Sequence, residues 1–220
     1  MPSMKRRHAV VSAVSVAFFL LTAAVLWLLM PPPRHGGWDQ KGAQGLADFG
    51  PVPDFSLTER SGKPLTLRDL DGHVWVANFM YTSCKDTCPL QSAALAGFQA
   101  QWNPGQQVKF VSISVDPERD TPAVLSSYAD RFGADPQRWF FLTGPKETIY
   151  QLAREGFRVS AAPAETTTGV DDNNFIHSAR FVLVDGKARI RGYYPSNEPE
   201  ALRQLGHDVR ILLQEGSTHG

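Results

Sequence analysis

The sequence predicts an α/β domain carried behind one apolar N-terminal span. Three observations predict it: an uncharged stretch of 22 residues from Ala9 to Met30, short apolar runs alternating with amphipathic stretches from Pro51 onward, and two cysteines where one such run gives way to a helix. At 220 residues with 42% apolar and 10% aromatic side chains, the chain has material for one ordinary core plus appendages, which excludes a disordered protein. The 22 basic and 22 acidic residues cancel to +0 with no basic block, so nothing marks a nucleic-acid partner. Two cysteines exclude a disulfide-dense mini-scaffold.

Ala9 to Met30 is long enough, at 1.5 Å per residue, to cross a hydrocarbon core of about 30 Å. It is longer than a cleavable leader, and the bulky Val25 to Met30 followed by Pro31-Pro32-Pro33 does not resemble a small-residue cleavage site, so the span is expected to stay as an anchor. Lys5, Arg6 and Arg7 outweigh Arg34, which is expected to keep residues 1–8 in the cytoplasm and to put everything after Pro31 beyond a single-pass anchor in a bacterial inner membrane, facing the periplasm or cell exterior. Residues 31–50 are rich in Pro and Gly and read as a flexible tether. The folded domain is expected over 51–215, with a short tail at 216–220.

Within the domain, Val74 to Tyr81 is apolar on both faces, as a covered central strand must be. Beyond Pro89, the spacing of Leu90, Ala94, Phe98 and Trp102 predicts a helix ending before Asn103-Pro104-Gly105, with those four residues on its inner face. Val108 to Ser114 is a second strand. Asp120 or Thr121 then caps a helix whose first turn holds Pro122 and whose apolar positions are Val124, Leu125, Tyr128 and Phe132. Trp139 to Leu142 is a third strand, and Pro145 starts a helix that buries Ile149 and Leu152 and stops at Gly156. Arg180 to Val184 and Ala188 to Tyr194 form a hairpin about Asp185-Gly186. Leu202, Leu205, Val209 and Leu212 line a last helix. This order is that of a thioredoxin-like fold with one inserted βα pair.

Cys84 and Cys88 are four residues apart at the strand-to-helix junction, so one helical turn would put both sulfurs on one face. A helix N-terminus favours thiolate, the form that attacks disulfides and binds metals, and Lys85 adds positive charge. As an inert structural disulfide the pair would close too small a loop to add much stability. Asp116 to Pro122 reads either as an exposed acidic patch for a partner or as a turn that Asp116 and Asp120 fold, and the second reading is preferred.

The segment Tyr81-Thr82-Ser83-Cys84-Lys85-Asp86-Thr87-Cys88-Pro89, with Ser114-Val115-Asp116-Pro117-Glu118-Arg119-Asp120-Thr121-Pro122 and Phe175-Ile176-His177-Ser178, resembles the Sco/SenC family of membrane-anchored, thioredoxin-like copper proteins. The likeness covers Pro51 to about Gln214. It implies that Cys84, Cys88 and His177 bind copper, and that the protein delivers copper during cytochrome c oxidase assembly. The implied partners are the oxidase's copper-accepting subunit and another periplasmic copper chaperone. Lys85 stands where the family more often has Pro, and Ile176 where many members have Asp. Independently of the resemblance, His177 lies just before the strand Arg180 to Val184, which in thioredoxin-like folds is entered by a loop facing the cysteine turn. His8, His35 and His219 lie in termini or tether, His73 starts a strand and His207 sits in the last helix. Two thiolates and an imidazole suit Cu(I) and also Cu(II), whereas structural zinc normally takes four ligands. The residues Ser160 to Asn174, ahead of His177, read as a flap.

Two other functions fit the cysteines. A thiol–disulfide reductase acting on a copper-accepting partner would use Cys84 and Cys88 without a histidine; a peroxidase-like enzyme fits less well, since Tyr81 stands where such sites carry Thr or Ser. A copper chaperone is a carrier rather than an enzyme. The topology has a direct check: protease added to intact spheroplasts is expected to digest the domain from Pro51 onward, and full protection would overturn the assignment.

Overall fold

A computed structural model of the chain describes residues 46–102, 108–159 and 179–217. The expected membrane span 9–30, the tether up to residue 45, the flap and His177 lie outside the described residues, and among those described no helix is long and apolar enough to cross a membrane. The elements are β1 (Ser56–Glu59), β2 (Pro64–Thr66), a 3-10 turn (Leu67–Leu70), β3 (Val74–Met80), α1 (Thr87–Gln99), β4 (Val108–Ser114), α2 (Pro122–Arg131) and β5 (Trp139–Thr143). They continue with α3 (Lys146–Gln151), which runs into a π turn (Leu152–Gly156), then β6 (Arg180–Val184), β7 (Ile190–Pro195) and α4 (Pro199–Ser217).

The strands form one sheet in the order β2-β1-β5-β4-β3-β6-β7. β3, β4 and β5 are parallel, while β6 joins β3 antiparallel and carries β7 as a hairpin. This is the thioredoxin-like arrangement expected from the element order. The leading hairpin β1–β2, not singled out from the sequence, extends the sheet beyond β5. Every residue of β3 is buried because helices cover both faces. On one face Phe98 of α1 packs edge-on to Phe110 of β4, and Tyr128 of α2 packs on Phe141 of β5. On the other, Phe157 packs against Trp75 and Phe79 of β3. The π turn makes that contact, its Phe157 N–H donating five residues back to the Leu152 carbonyl.

Three sequence expectations need correction. The inner face of α1 consists of Cys88, Gln91, Ser92, Leu95, Phe98 and Gln99, while Leu90 is 72% exposed. A strict four-residue repeat advances 400° and drifts off a helix face, and the buried stripe instead alternates threes and fours, taking in polar residues. Of the two residues expected to cap α2, Thr121 does so, its hydroxyl accepting from the Val124 N–H at 3.4 Å, while Asp120 is buried elsewhere. Leu46 to Gly50, at the end of the expected tether, lie against β7. Arg191 donates to the Leu46 and Ala47 carbonyls, Arg189 pairs with Asp48 at 2.6 Å, and Phe49 packs edge-on to Tyr193. At the other end α4 runs to Ser217, past the expected boundary at residue 215.

The corrected helix face predicts an asymmetry. Leu95→Ala removes a fully buried side chain and is expected to cost about 2–5 kcal/mol in urea unfolding. Leu90→Ala is expected to change stability by about 0.5 kcal/mol or less. Equal effects would restore the four-residue stripe.

Candidate metal and thiol centre

The site lies beyond the carboxyl ends of the parallel strands β3 and β4, where the loops of neighbouring strands meet. The Val115 N–H donates to the Met80 carbonyl at 2.9 Å and keeps the two strand ends side by side. From there the chain turns through Tyr81 to Asp86 and enters α1 at Thr87. Pro89, in the first helical turn, forfeits no bond because N–H groups there have no intrahelical partner.

Cys84 therefore stands in the loop ahead of α1, and only Cys88 is on the helix, which corrects the expectation that both share a helical face. They still meet: the Cys88 N–H points at the Cys84 sulfur at 3.4 Å. Both are free thiols; Cys88 is fully buried and Cys84 is 8% exposed. Burial opposes ionisation of Cys84, but the backbone N–H groups of Cys88 and Asp86, the Cys88 thiol and the Tyr81 hydroxyl together outweigh it, and its pKa falls below the ordinary thiol value. Burial raises Cys88 to about 12, with the Cys84 hydrogen bond and the charges of Cys84 and Asp120 acting in the same direction. Burial, then the hydrogen bond to Cys84, holds the Tyr81 phenol at about 12, so its hydroxyl stays protonated and able to donate.

Asp120, which the sequence suggested only as a turn or cap residue, is fully buried beside this loop. Its carboxylate accepts from the Thr82 N–H at 3.0 Å, the Thr82 hydroxyl at 2.5 Å and the Ser114 hydroxyl at 2.5 Å. The two loops are thereby fastened together. Parallel pairing of β3 with β4 brings the loops after the two strands to the same end of the sheet, but nothing in the sequence shows which side chain of the second loop turns toward the cysteines. Asp116 is also buried, at 5% exposure, and burial followed by the charge of Asp120 raises its pKa, so these two aspartates form no exposed acidic patch.

Among the described residues no group of three or more His, Cys, Asp or Glu could hold a metal. His73 precedes β3 at the end away from the cysteines, and His207 lies exposed on α4. A soft dithiolate pair fits copper chemically, and a third protein donor would have to come from outside the described residues.

Fold and cysteine turn together define a thioredoxin-like protein with a C-x-x-x-C-P thiol or metal centre. Residues 44–212 match the protein family described as SCO1/SenC, and the chain belongs to that family. The SCO1 protein homolog of Bacillus subtilis (strain 168) is 32% identical over 161 residues, covering 72% of this chain and 81% of that one. BsSco, described as a member of the Sco family of cytochrome c oxidase assembly proteins and as containing a disulfide switch, superposes with a TM-score of 0.66 at 26% identity over 78% of this chain and 97% of its own. Bradyrhizobium japonicum ScoI, solved with copper bound, gives a TM-score of 0.54 at 31% identity over 72% and 99% of the two chains.

The unequal cysteines predict unequal reactivity. Iodoacetamide is expected to label Cys84 first, because thiolate is the reactive form and a lowered pKa gives half-maximal rate at a pH below that of a free cysteine. In Cys84→Ser the remaining Cys88 is expected to react more slowly by an order of magnitude or more near neutral pH. Mass-spectrometric mapping against pH checks both, and preferential labelling of Cys88 would contradict the geometry.

Proposed function

We propose that this protein is a membrane-anchored copper chaperone that binds copper through Cys84, Cys88 and His177 and delivers it to the copper-accepting subunit of cytochrome c oxidase during assembly. The observation that carries the reading is the cysteine turn, in which the amides opening α1 converge on the Cys84 sulfur and favour the thiolate that Cu(I) requires. Placing His177 third draws support from β6: the Arg180 carbonyl is within hydrogen-bond reach of Gln91, one turn beyond Cys88, and three residues extend at most about 10 Å. Residues 9–30 serve as the anchor and the domain faces the periplasm. Copper is cargo here, and a site with three protein ligands leaves it open to ligand exchange with an acceptor.

The second reading, a thiol–disulfide reductase for the acceptor's cysteines, is favoured by the inequality of the pair: Cys84, 8% exposed and with its pKa lowered, suits attack on a disulfide, and the fully buried Cys88 suits resolution.

One variant separates them. Reduced protein is expected to bind one copper, and a Cys84–Cys88 disulfide to release it, since oxidation consumes both thiolates. His177→Ala is expected to keep Cu(I) on the dithiolate and to keep disulfide reduction, while losing most Cu(II) affinity and failing to support oxidase assembly. Normal assembly in the His177→Ala strain would reject copper delivery and leave the reductase standing.

A further inference from the structure

β6 follows β3 only part of the way. Their pairing runs from Trp75↔Val184 to Ala77↔Val182 and stops there, whereas β6 stays paired with β7 as far as Arg180↔Pro195. The sheet therefore opens between β3 and β6 at the end nearest the cysteines, where a ladder would otherwise fix the start of β6. Gln91, 2% exposed on the inner face of α1, enters this opening. Its side-chain Nε2 donates to the Arg180 carbonyl at 3.3 Å, and its Oε1 accepts from Asn78 Nδ2 at 3.1 Å. Asn78 Oδ1 accepts from the Ser112 hydroxyl at 2.7 Å, and that hydroxyl accepts from Trp139 Nε1 at 2.9 Å. Trp139, Ser112 and Asn78 are fully buried. The relay crosses β5, β4 and β3 and ends on the strand that follows His177.

An amide oriented from both ends is a stiff support. Asn78 fixes which way the Gln91 amide faces, because Nδ2 can only donate, leaving Gln91 Nε2 to meet a carbonyl. Buried polar groups cost stability unless all are satisfied, and leucine here would give Asn78 Nδ2 and the Arg180 carbonyl no such bond. We infer that Gln91 is a positioning residue: its side-chain amide ties the first turns of the cysteine helix to the first residue of β6 and so fixes the start of that strand relative to the cysteine turn. This rests on the copper-site reading above, in which the segment entering that strand brings His177.

The test uses the full chain, purified in detergent, with two variants. Gln91→Met keeps the volume and removes both bonds. Gln91→Glu keeps an acceptor for Asn78 but, ionised, has no hydrogen to give the Arg180 carbonyl. In metal-free protein, both are expected to speed hydrogen exchange about tenfold in peptides covering the start of β6, with α4 unchanged. With copper, both are expected to weaken Cu(II) binding about tenfold or more, as loss of a residue supporting a metal ligand commonly does, and to change Cu(I) binding less than about twofold. Ser112→Ala breaks the same relay deeper in the core and is expected to lower stability while leaving the ratio of Cu(II) to Cu(I) affinity as in the wild type. In a His177→Ala background, Gln91→Met is expected to add no further Cu(II) loss. If His177→Ala loses Cu(II) and the Gln91 variants do not, the positioning role is wrong and the copper site stands. Should His177→Ala itself leave Cu(II) binding intact, the ligand reading fails, and unchanged exchange at β6 would overturn the Gln91 tie on its own.

Discussion

Moving a carboxylate out of water is expensive unless hydrogen-bond donors take the place of the solvent. Asp120 is fully buried, and the protein supplies it with the Thr82 N–H and the hydroxyls of Thr82 and Ser114. All three come from the ends of β3 and β4 or the loop between β3 and α1, so the requirement to satisfy this one charge draws those strand ends together. With Thr82 held, the chain turns tightly enough for the Cys84 N–H to reach the Tyr81 carbonyl, and α1 starts with its free amides facing the Cys84 sulfur. The same carboxylate lies close enough to Cys88 to disfavour a second negative charge there.

That arrangement divides the labour of the cysteines. Helix-terminal amides stabilise charge without being titratable themselves, so their pull on the Cys84 pKa lasts where a neighbouring lysine could lose its effect by swinging into solvent. Lys85, whose charge seemed suited to the task, is exposed. A sulfur that ionises more readily and keeps a little exposure, beside one that is fully buried and held protonated, is also an ordered pair for exchange. On the copper reading an acceptor ligand meets Cys84 first, and on the reductase reading a disulfide does; the geometry serves either chemistry through the same atom.

Much of the fold was legible in the sequence because β3, and β6 beyond Arg180, are near-continuous apolar runs, and only a sheet covered on both faces buries such runs. The hairpin around Asp185-Gly186 was legible through its turn chemistry, and Asp185 does organise it, accepting from the Lys187 and Arg189 N–H groups. What escaped was the polar interior. The inner face of α1 was misread because Gln91, Ser92 and Gln99 look like solvent-facing residues, whereas each meets a partner from another element: Asn78, Tyr128 and the Gly133 carbonyl. Asp120 escaped for the same reason, as the sequence does not print which donors will surround a carboxylate. The cysteine spacing gave the right pair but the wrong reason, since four residues suggested one helical turn and the structure reaches the same closeness with Cys84 outside the helix.

Two polar systems thus flank the cysteine turn, Asp120 toward β4 and the Gln91 relay toward β6, and neither is what maximal stability would select. Replacing a buried polar cluster by well-packed apolar residues often leaves a protein as stable or more so. Their shared property is direction. Apolar packing tolerates small slides of a helix along a sheet, whereas a carboxylate with three donors fixes the loop ahead of α1 and an amide held from both ends fixes α1 itself. On the proposed copper reading, in which His177 completes the site, that placement matters more than the last increment of stability. The opposite end of β3 has a buried polar group of its own, Asp185, which pairs with Arg191 at 2.8 Å and organises the β6–β7 turn, so polarity in this core marks the places where a turn or a site must hold one shape.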